Sequence, residues 1–218
     1  MLRILIADDH EVARRGIRAL LESHPGWEVC GEAKDGRETV ELANSLRPDL
    51  ILLDIGMPNL NGLEAARQIL AISPDAAILI LTMHDTDHVV REVLRAGARG
   101  FLLKSDAGRD LVAAVEALQQ QRTFFTTRVS QMVLDGYLDR DTPEGGAALD
   151  FDDVLTTRER EVIQLLAEGK TSKEVAVALN LSVKTAETHR TNLMRKLDLH
   201  SVADLTRYAV RNGIVQVF

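Results

Sequence analysis

The sequence has a single cysteine, Cys30, and no cluster of cysteine and histidine at zinc-binding spacing. An intrachain disulfide is therefore excluded, which fits a reducing compartment. A zinc ribbon or finger is excluded by the same shortage. Cys30 falls in a strand pattern and is expected to be a buried, unreactive thiol. No apolar run comes near the ~18 residues that a membrane span needs. The opening stretch MLRILIADDH has one arginine and an apolar run cut short by two aspartates, so it does not read as a signal peptide. Excess positive charge is also missing: 26 Lys+Arg stand against 33 Asp+Glu, a net charge of −7. That weighs against a chain that coats nucleic acid along its whole length. What remains is an expected cytoplasmic globular protein of 218 residues, one large domain or two small ones.

The charge is unevenly spread. Residues 1–122 carry 14 basic and 19 acidic residues, and residues 123–151 carry 2 and 5. Residues 152–218 carry 10 and 9. The acidity sits in the first two segments, so the last is different in kind.

Five apolar runs alternate with five helical patterns in the first 122 residues. Ile4–Ala7, Trp27–Gly31, Leu50–Leu53, Ala77–Leu81 and Phe101–Leu103 read as strands. Helices are expected near 11–23, 36–46, 62–72, 86–96 and 106–120. Such alternation with short connections predicts a parallel sheet with helices on both faces. Five units in this length fit a flavodoxin-like doubly wound fold with strand order 2-1-3-4-5. Residues 123–150 are less regular: a helix over 128–138, then a linker at Asp141–Ala148. From Phe151 onward the pattern is all-helical. Thr156 with Glu159, and Thr171 with Glu174, have capping-box spacing. Ser182 and Ser201 open two further helices. Four short helices with tight turns predict a helix-turn-helix module over 151–218.

The predicted topology brings chemistry together at one sheet edge. The run Leu50-Ile51-Leu52-Leu53 ends on Asp54, and the turn-forming residues Gly56, Pro58, Asn59, Asn61 and Gly62 follow. Asp8 and Asp9 follow the first strand, which neighbours the third at the switch point. Three carboxylates this close repel each other without a cation, and hard oxygen ligands at an open edge suit Mg²⁺. Thr82 ends the fourth strand and Lys104 the fifth, so a hydroxyl and an ammonium reach the same edge. A carboxylate nucleophile, a divalent cation and donors for phosphoryl oxygens are what an aspartyl phosphate requires. Read alone, Asp8-Asp9 serves equally as a helix cap, and a strand-end Thr or Lys as ordinary surface. Their convergence on Asp54 favours the phosphoryl reading.

Residues 1–122 resemble the receiver domain of two-component response regulators, at Asp8-Asp9, Asp54, Met57-Pro58, Gly62, Thr82, Phe101 and Lys104. The resemblance implies that a sensor histidine kinase phosphorylates Asp54. It implies Mg²⁺ held by Asp9, Asp54 and the Gly56 carbonyl, with Asp8 nearby through water. Thr82 would turn toward the phosphoryl group and Phe101 would swing inward behind it. Ser105 stands where many receivers have a proline after the lysine. His84 is open to two readings, a modulator of phosphoryl lifetime or a solvated loop residue.

The third C-terminal helix, from Val183 to about Leu197, is locally basic, with Lys184, Arg190, Arg195 and Lys196 against Glu187. Ala186, Leu193 and Leu197 share one side and are expected to pack inward. Lys184, Glu187, Thr188 and Thr191 share another. As the second half of a helix-turn-helix it would present its first turns to base edges. Residues 155–215, through LTTREREVIQLLAEGKTSKEVAVALNLSVKTAETHRTNLMRKLDLHS, resemble the LuxR-type module that ends NarL/FixJ-family regulators. This implies base-edge positions at Lys184, Glu187, Thr188 and Thr191, with Glu187 open to two readings, accepting from a cytosine amino group or pointing away, and phosphate contacts from Lys173, Thr185, His189, Arg190 and Lys196. Ala186 and Thr157 depart from the bulkier aliphatic and the proline common in that family. The fourth helix, with Val202, Leu205 and Val210, often forms a dimer surface there.

Together the resemblances imply a homodimeric regulator controlled by phosphorylation at Asp54 and binding a promoter with two half-sites. The alternative is a regulator controlled by partner proteins. An aspartyl-phosphate hydrolase is disfavoured, because such enzymes carry a second acid two residues after the nucleophile and Gly56 stands there.

Overall fold

The computed structural model describes residues 1–83, 86–126, 129–131 and 155–215. His84, the linker at 141–148 and nearly all of the expected 128–138 helix lie outside these residues. The chain divides into two compact units, Met1–Ser130 and Gln131–Phe218.

The first unit is the five-stranded parallel sheet that the alternation predicts. Its strands are β1 (Leu2–Ala7), β2 (Trp27–Ala33), β3 (Leu50–Asp54), β4 (Ala77–Thr82) and β5 (Gly100–Leu103), in the order β2-β1-β3-β4-β5. Its helices are α1 (Glu11–Glu22), α2 (Gly36–Leu46), α3 (Gly62–Ile72), α4 (Asp87–Arg95) and α5 (Ala107–Gln119). Every residue of β3 and β4 is buried, because helices cover both faces of those central strands. Ile4, Ile6, Leu52, Leu79, Leu102, Leu111 and Val115 form the centre of one apolar cluster. Each such side chain contributes roughly 1.5–3 kcal/mol on burial. Cys30 differs from expectation: it is half-buried, with Sγ 3.4 Å from the Ile4 carbonyl oxygen, because β2 is an edge strand. Burial pushes its thiol pKa up.

The compact unit reaches eight residues beyond the sequence-based boundary at 122. Phe124 explains the extension. It forms a parallel bridge with Gly100, its carbonyl accepts from Phe101 N at 2.9 Å, and its own N–H donates to Arg99 O at 3.1 Å. Part of the edge strand β5 is thereby covered.

The loop after β3 is held in place from several sides. Asn61 caps α3 by accepting from Glu64 N at 2.9 Å. Asp35 caps α2, and its other oxygen accepts from Asn59 Nδ2 at 3.0 Å. Gly62 N donates to Ile55 O at 2.9 Å, bringing two backbones together. A Cβ on Gly62 would stand 1.9 Å from the Asp54 carbonyl oxygen and 2.8 Å from its carbon. Gly62→Ala is therefore expected to cost about 3 kcal/mol or more, since backbone rather than a flexible side chain must move. Gly16, inside α1 with nothing within 4 Å of such a Cβ, is the contrast: Gly16→Ala should stabilise by roughly 0.5–1 kcal/mol. Urea unfolding followed by Trp27, the single tryptophan, measures both. A Gly62→Ala midpoint equal to wild type would show that the loop yields.

The second unit holds α6 (Thr157–Ala167), α7 (Ser172–Ala178), α8 (Val183–Lys196) and α9 (Val202–Arg211). Both capping boxes form. Ser182 and Ser201 cap α8 and α9. Gly169, Asn180, Asp198 and Gly213 take left-handed backbone just past the four helices, which turns the chain sharply. Val162, Ile163, Leu165, Val175, Leu193 and Leu205 lie in the shared core. Among the described residues no helix is long and apolar enough to cross a membrane.

Candidate functional site

The first site is built by strand ends. Ala7 pairs with Leu53, so Asp8 and Asp54 leave neighbouring strands side by side. Leu81 pairs with Asp54 and Thr82 with Leu103, which sets Thr82 and Lys104 along the same edge. Lys104 itself opens a single 3-10 turn after β5 rather than ending the strand. Its Nζ lies 2.7 Å from Asp8 Oδ2 and 2.9 Å from Asp54 Oδ2. Asp8 and Thr82 are fully buried, and Asp54 nearly so. Phe101 is fully buried on β5.

Asp8-Asp9 is not a helix cap: the residue preceding α1 is His10, without a side-chain cap. Asp8 Oδ1 accepts from His10 N at 2.8 Å. The Asp8 carbonyl accepts from Arg14 Nη1 at 2.7 Å, and Arg14 Nε in turn faces Glu32 at 3.4 Å. His10 Nδ1 stands 2.6 Å from Asp9 Oδ1 and 3.4 Å from Asp8 Oδ1. Sequence reasoning missed His10 and Arg14. Adjacency to the acidic pair could have flagged His10. Arg14 gave no signal, because its target is a backbone atom.

Two carboxylates share one ammonium, and the titrations follow. Burial raises the Asp54 carboxyl above its ordinary range; Lys104 opposes this, Asp8 reinforces it, and a Gly56 backbone hydrogen bond opposes it. Burial lowers Lys104, but its contacts with Asp54 and Asp8 outweigh that and leave it raised. Asp54 binds its proton more tightly folded than unfolded. Its ionised form therefore costs stability at neutral pH, and the cost vanishes as pH falls through the raised value. Asp54→Asn is expected to unfold at higher urea than wild type at pH 8 without divalent ions. The gap should close on acidification toward pH 4. A variant less stable than wild type at pH 8 would mean that Lys104 outweighs the burial.

The donor set fits a hard divalent cation. Asp8, Asp9, His10 and Asp54 each offer one ligand atom, all within 4.8 Å of one another. Asp8 Oδ2 and Asp9 Oδ1 are buried oxygens that face the Lys104 ammonium and the His10 ring. Such oxygens have capacity for a cation. For Gly56, expected to ligate through its carbonyl, the structure records its backbone hydrogen bond to Asp54.

The second site lies on α8. Lys184, Glu187, Thr188 and Thr191 are exposed on one side, while Ala186 and Leu193 are buried on the other. Thr188 Oγ1 donates to Lys184 O at 2.8 Å and Thr191 Oγ1 to Glu187 O at 2.9 Å. Lys173 is exposed on α7. Thr185, His189 and Arg190 are half-buried, and Thr185 Oγ1 is 2.7 Å from the capping Ser182 Oγ. Lys196 stands apart. Its Nζ is 2.8 Å from Glu159 Oε2, in the capping box of α6. Burial raises Glu159, but Lys196 and Thr156 hold its pKa below the usual value.

Comparison with known proteins gives two family matches. The response regulator receiver domain matches residues 4–116, and the luxR family of bacterial regulatory proteins matches 153–209. The chain is 40% identical over 215 residues to the transcriptional regulatory protein LiaR of Bacillus subtilis (strain 168), covering 99% of this chain and 100% of that protein. It is 35% identical over 217 residues to the oxygen regulatory protein NreC of Staphylococcus epidermidis, with coverage of 99% and 100%. A solved structure of RcsB from Salmonella enterica serovar Typhimurium, bound to promoter rprA in the presence of the phosphomimetic BeF3⁻, is similar at 29% identity. Its TM-score is 0.58, with 95% of this chain and 97% of that one covered.

Proposed function

Because this chain belongs to the NarL/FixJ family of two-component response regulators, with a receiver and a LuxR-type DNA-binding domain, we propose that Asp54 is its phosphorylation site. A sensor histidine kinase supplies the phosphoryl group, and phosphorylation controls dimerisation and promoter binding in the cytoplasm. The receiver function belongs to residues 1–122 and DNA binding to 151–218, joined by 123–150. The observation that carries this reading is the Lys104 ammonium set between Asp8 and Asp54 at one buried strand edge. In this reading Asp54 is the nucleophile, and Lys104 and the Thr82 hydroxyl take phosphoryl oxygens. Asp9, Asp54 and the Gly56 carbonyl, with Asp8 behind them, would hold Mg²⁺, which neutralises charge on the transferring group.

The added charge draws Lys104 and Thr82, a local event that biases a two-state element packed around Phe101. In the second unit Lys184, Glu187, Thr188 and Thr191 read bases. Lys173, Thr185, His189, Arg190 and Lys196 hold phosphates. That RcsB was solved on promoter rprA in the presence of a phosphomimetic supports, by kinship, a link between the receiver pocket and promoter binding.

Sedimentation and DNA footprinting with and without BeF3⁻ and Mg²⁺ test the switch. The expected result is a homodimer protecting two half-sites, with roughly 10²-fold tighter binding from the linked second site. Equal mass and equal affinity in both conditions would favour control by partner proteins.

A further inference from the structure

The acidic pocket contains a nitrogen that a pure Mg²⁺ site does not need. His10 Nδ1 lies 2.6 Å from Asp9 Oδ1 and 3.4 Å from Asp8 Oδ1. Its ligand atom falls in the same 4.8 Å group as those of Asp8, Asp9 and Asp54. That span is close to twice a metal–ligand bond of ~2.1 Å. The backbone of His10 is fixed, since it precedes α1 and donates to Asp8 Oδ1 at 2.8 Å. The side chain is 59% exposed and faces Asp8 and Asp9. Little packing opposes a small rotation of the ring from Asp9 toward a shared ion. Lys104 faces Oδ2 of Asp8 and Oδ2 of Asp54.

We propose that His10 is a further ligand of this pocket and biases it toward first-row transition ions such as Mn²⁺ and Ni²⁺ over Mg²⁺. The proposal rests on the reading of the pocket as a divalent-cation site. Three carboxylates alone make a hard oxygen set, suited to Mg²⁺ and Mn²⁺. A neutral imidazole adds a borderline donor, for which affinity climbs from Mn²⁺ to Ni²⁺ while Mg²⁺ gains almost nothing. The imidazole and a bound ion compete for Asp9, so an ion that accepts nitrogen loses less by displacing that contact than one that does not.

The test is calorimetric titration of the tag-free full chain with NiCl₂, MnCl₂ and MgCl₂, in wild type, His10→Ala and His10→Gln. Excess Mg²⁺ in a parallel titration isolates the pocket from the other histidines. Circular dichroism checks that each variant is folded. Both substitutions are expected to weaken the Mg²⁺-competed Ni²⁺ binding by about 10-fold or more, in the range seen when a metal site loses a group. Mn²⁺ should lose less, and Mg²⁺ affinity should stay within about twofold. Unchanged Ni²⁺ affinity, or equal losses for Ni²⁺ and Mg²⁺, would overturn the role of His10 while leaving the cation site standing. If wild type shows no Mg²⁺-competed binding at all, the cation site itself falls and the proposal with it.

Discussion

Asp54→Ala is expected to take up no phosphate from phosphoramidate in Mg²⁺, whereas the wild-type chain gains a hydroxylamine-sensitive phosphoryl group. Asp54 is set apart from the other two carboxylates by its place at the end of the central strand β3. Asp8 is fully buried, with Oδ1 accepting from His10 N and Oδ2 facing Lys104. Asp9 is turned toward the His10 ring. Asp54 meets Lys104 through Oδ2, takes a hydrogen bond from the Gly56 backbone, and ends β3 between the ends of β1 and β4. It forms the new O–P bond as the P–N bond of the donor breaks. Burial weakens its acidity and so increases its basicity, which favours attack once Lys104 and a cation neutralise the incoming group. Lys104→Ala should slow labelling by roughly 10²-fold, the effect of removing one donor to the developing charge. Intact-mass measurement reads both. Undiminished labelling of Asp54→Ala would move the site to another carboxylate.

Much of this is legible in the sequence, for reasons specific to each element. β3 and β4 are buried on both faces and so are written as unbroken apolar runs. The helices of the second unit announce their own starts: Thr156 with Glu159, Thr171 with Glu174, then Ser182 and Ser201, each confirmed as a cap. Strand order then brings Asp8, Asp54, Thr82 and Lys104 to one edge without further information. What stayed hidden depends on distances between parts far apart in sequence. Arg14 works on a backbone carbonyl. The Lys196–Glu159 pair spans 37 residues. Phe124 extends the first unit through main-chain bonds, to which its side chain gives no clue. Gly62 read as a turn former, and only the 1.9 Å approach to Asp54 explains why no larger residue fits.

Replacing Lys184, Glu187 and Thr188 together by alanine is expected to remove sequence-specific DNA binding, a loss of about 10³-fold or more down to the non-specific level. Each base-edge contact contributes roughly 1–3 kcal/mol, so three in one helix account for that fall. The fold should survive. All three positions are exposed, alanine suits a helix interior, and the buried side, Ala186 and Leu193, is untouched. Lys196→Ala should behave differently. Its ammonium is engaged with Glu159 across α8 and α6, so reaching a phosphate means giving up that contact. A loss of only a few-fold, uniform across sequences and with a salt slope reduced by at most about one, is expected for it. The two outcomes separate base reading from general attraction. If Lys196→Ala cost as much specificity as the triple variant, the reading surface would have to extend to the far end of α8, where Arg195 and Lys196 also meet the helix's negative pole. If the triple variant kept its specificity, the exposed side of α8 would not be what enters the groove.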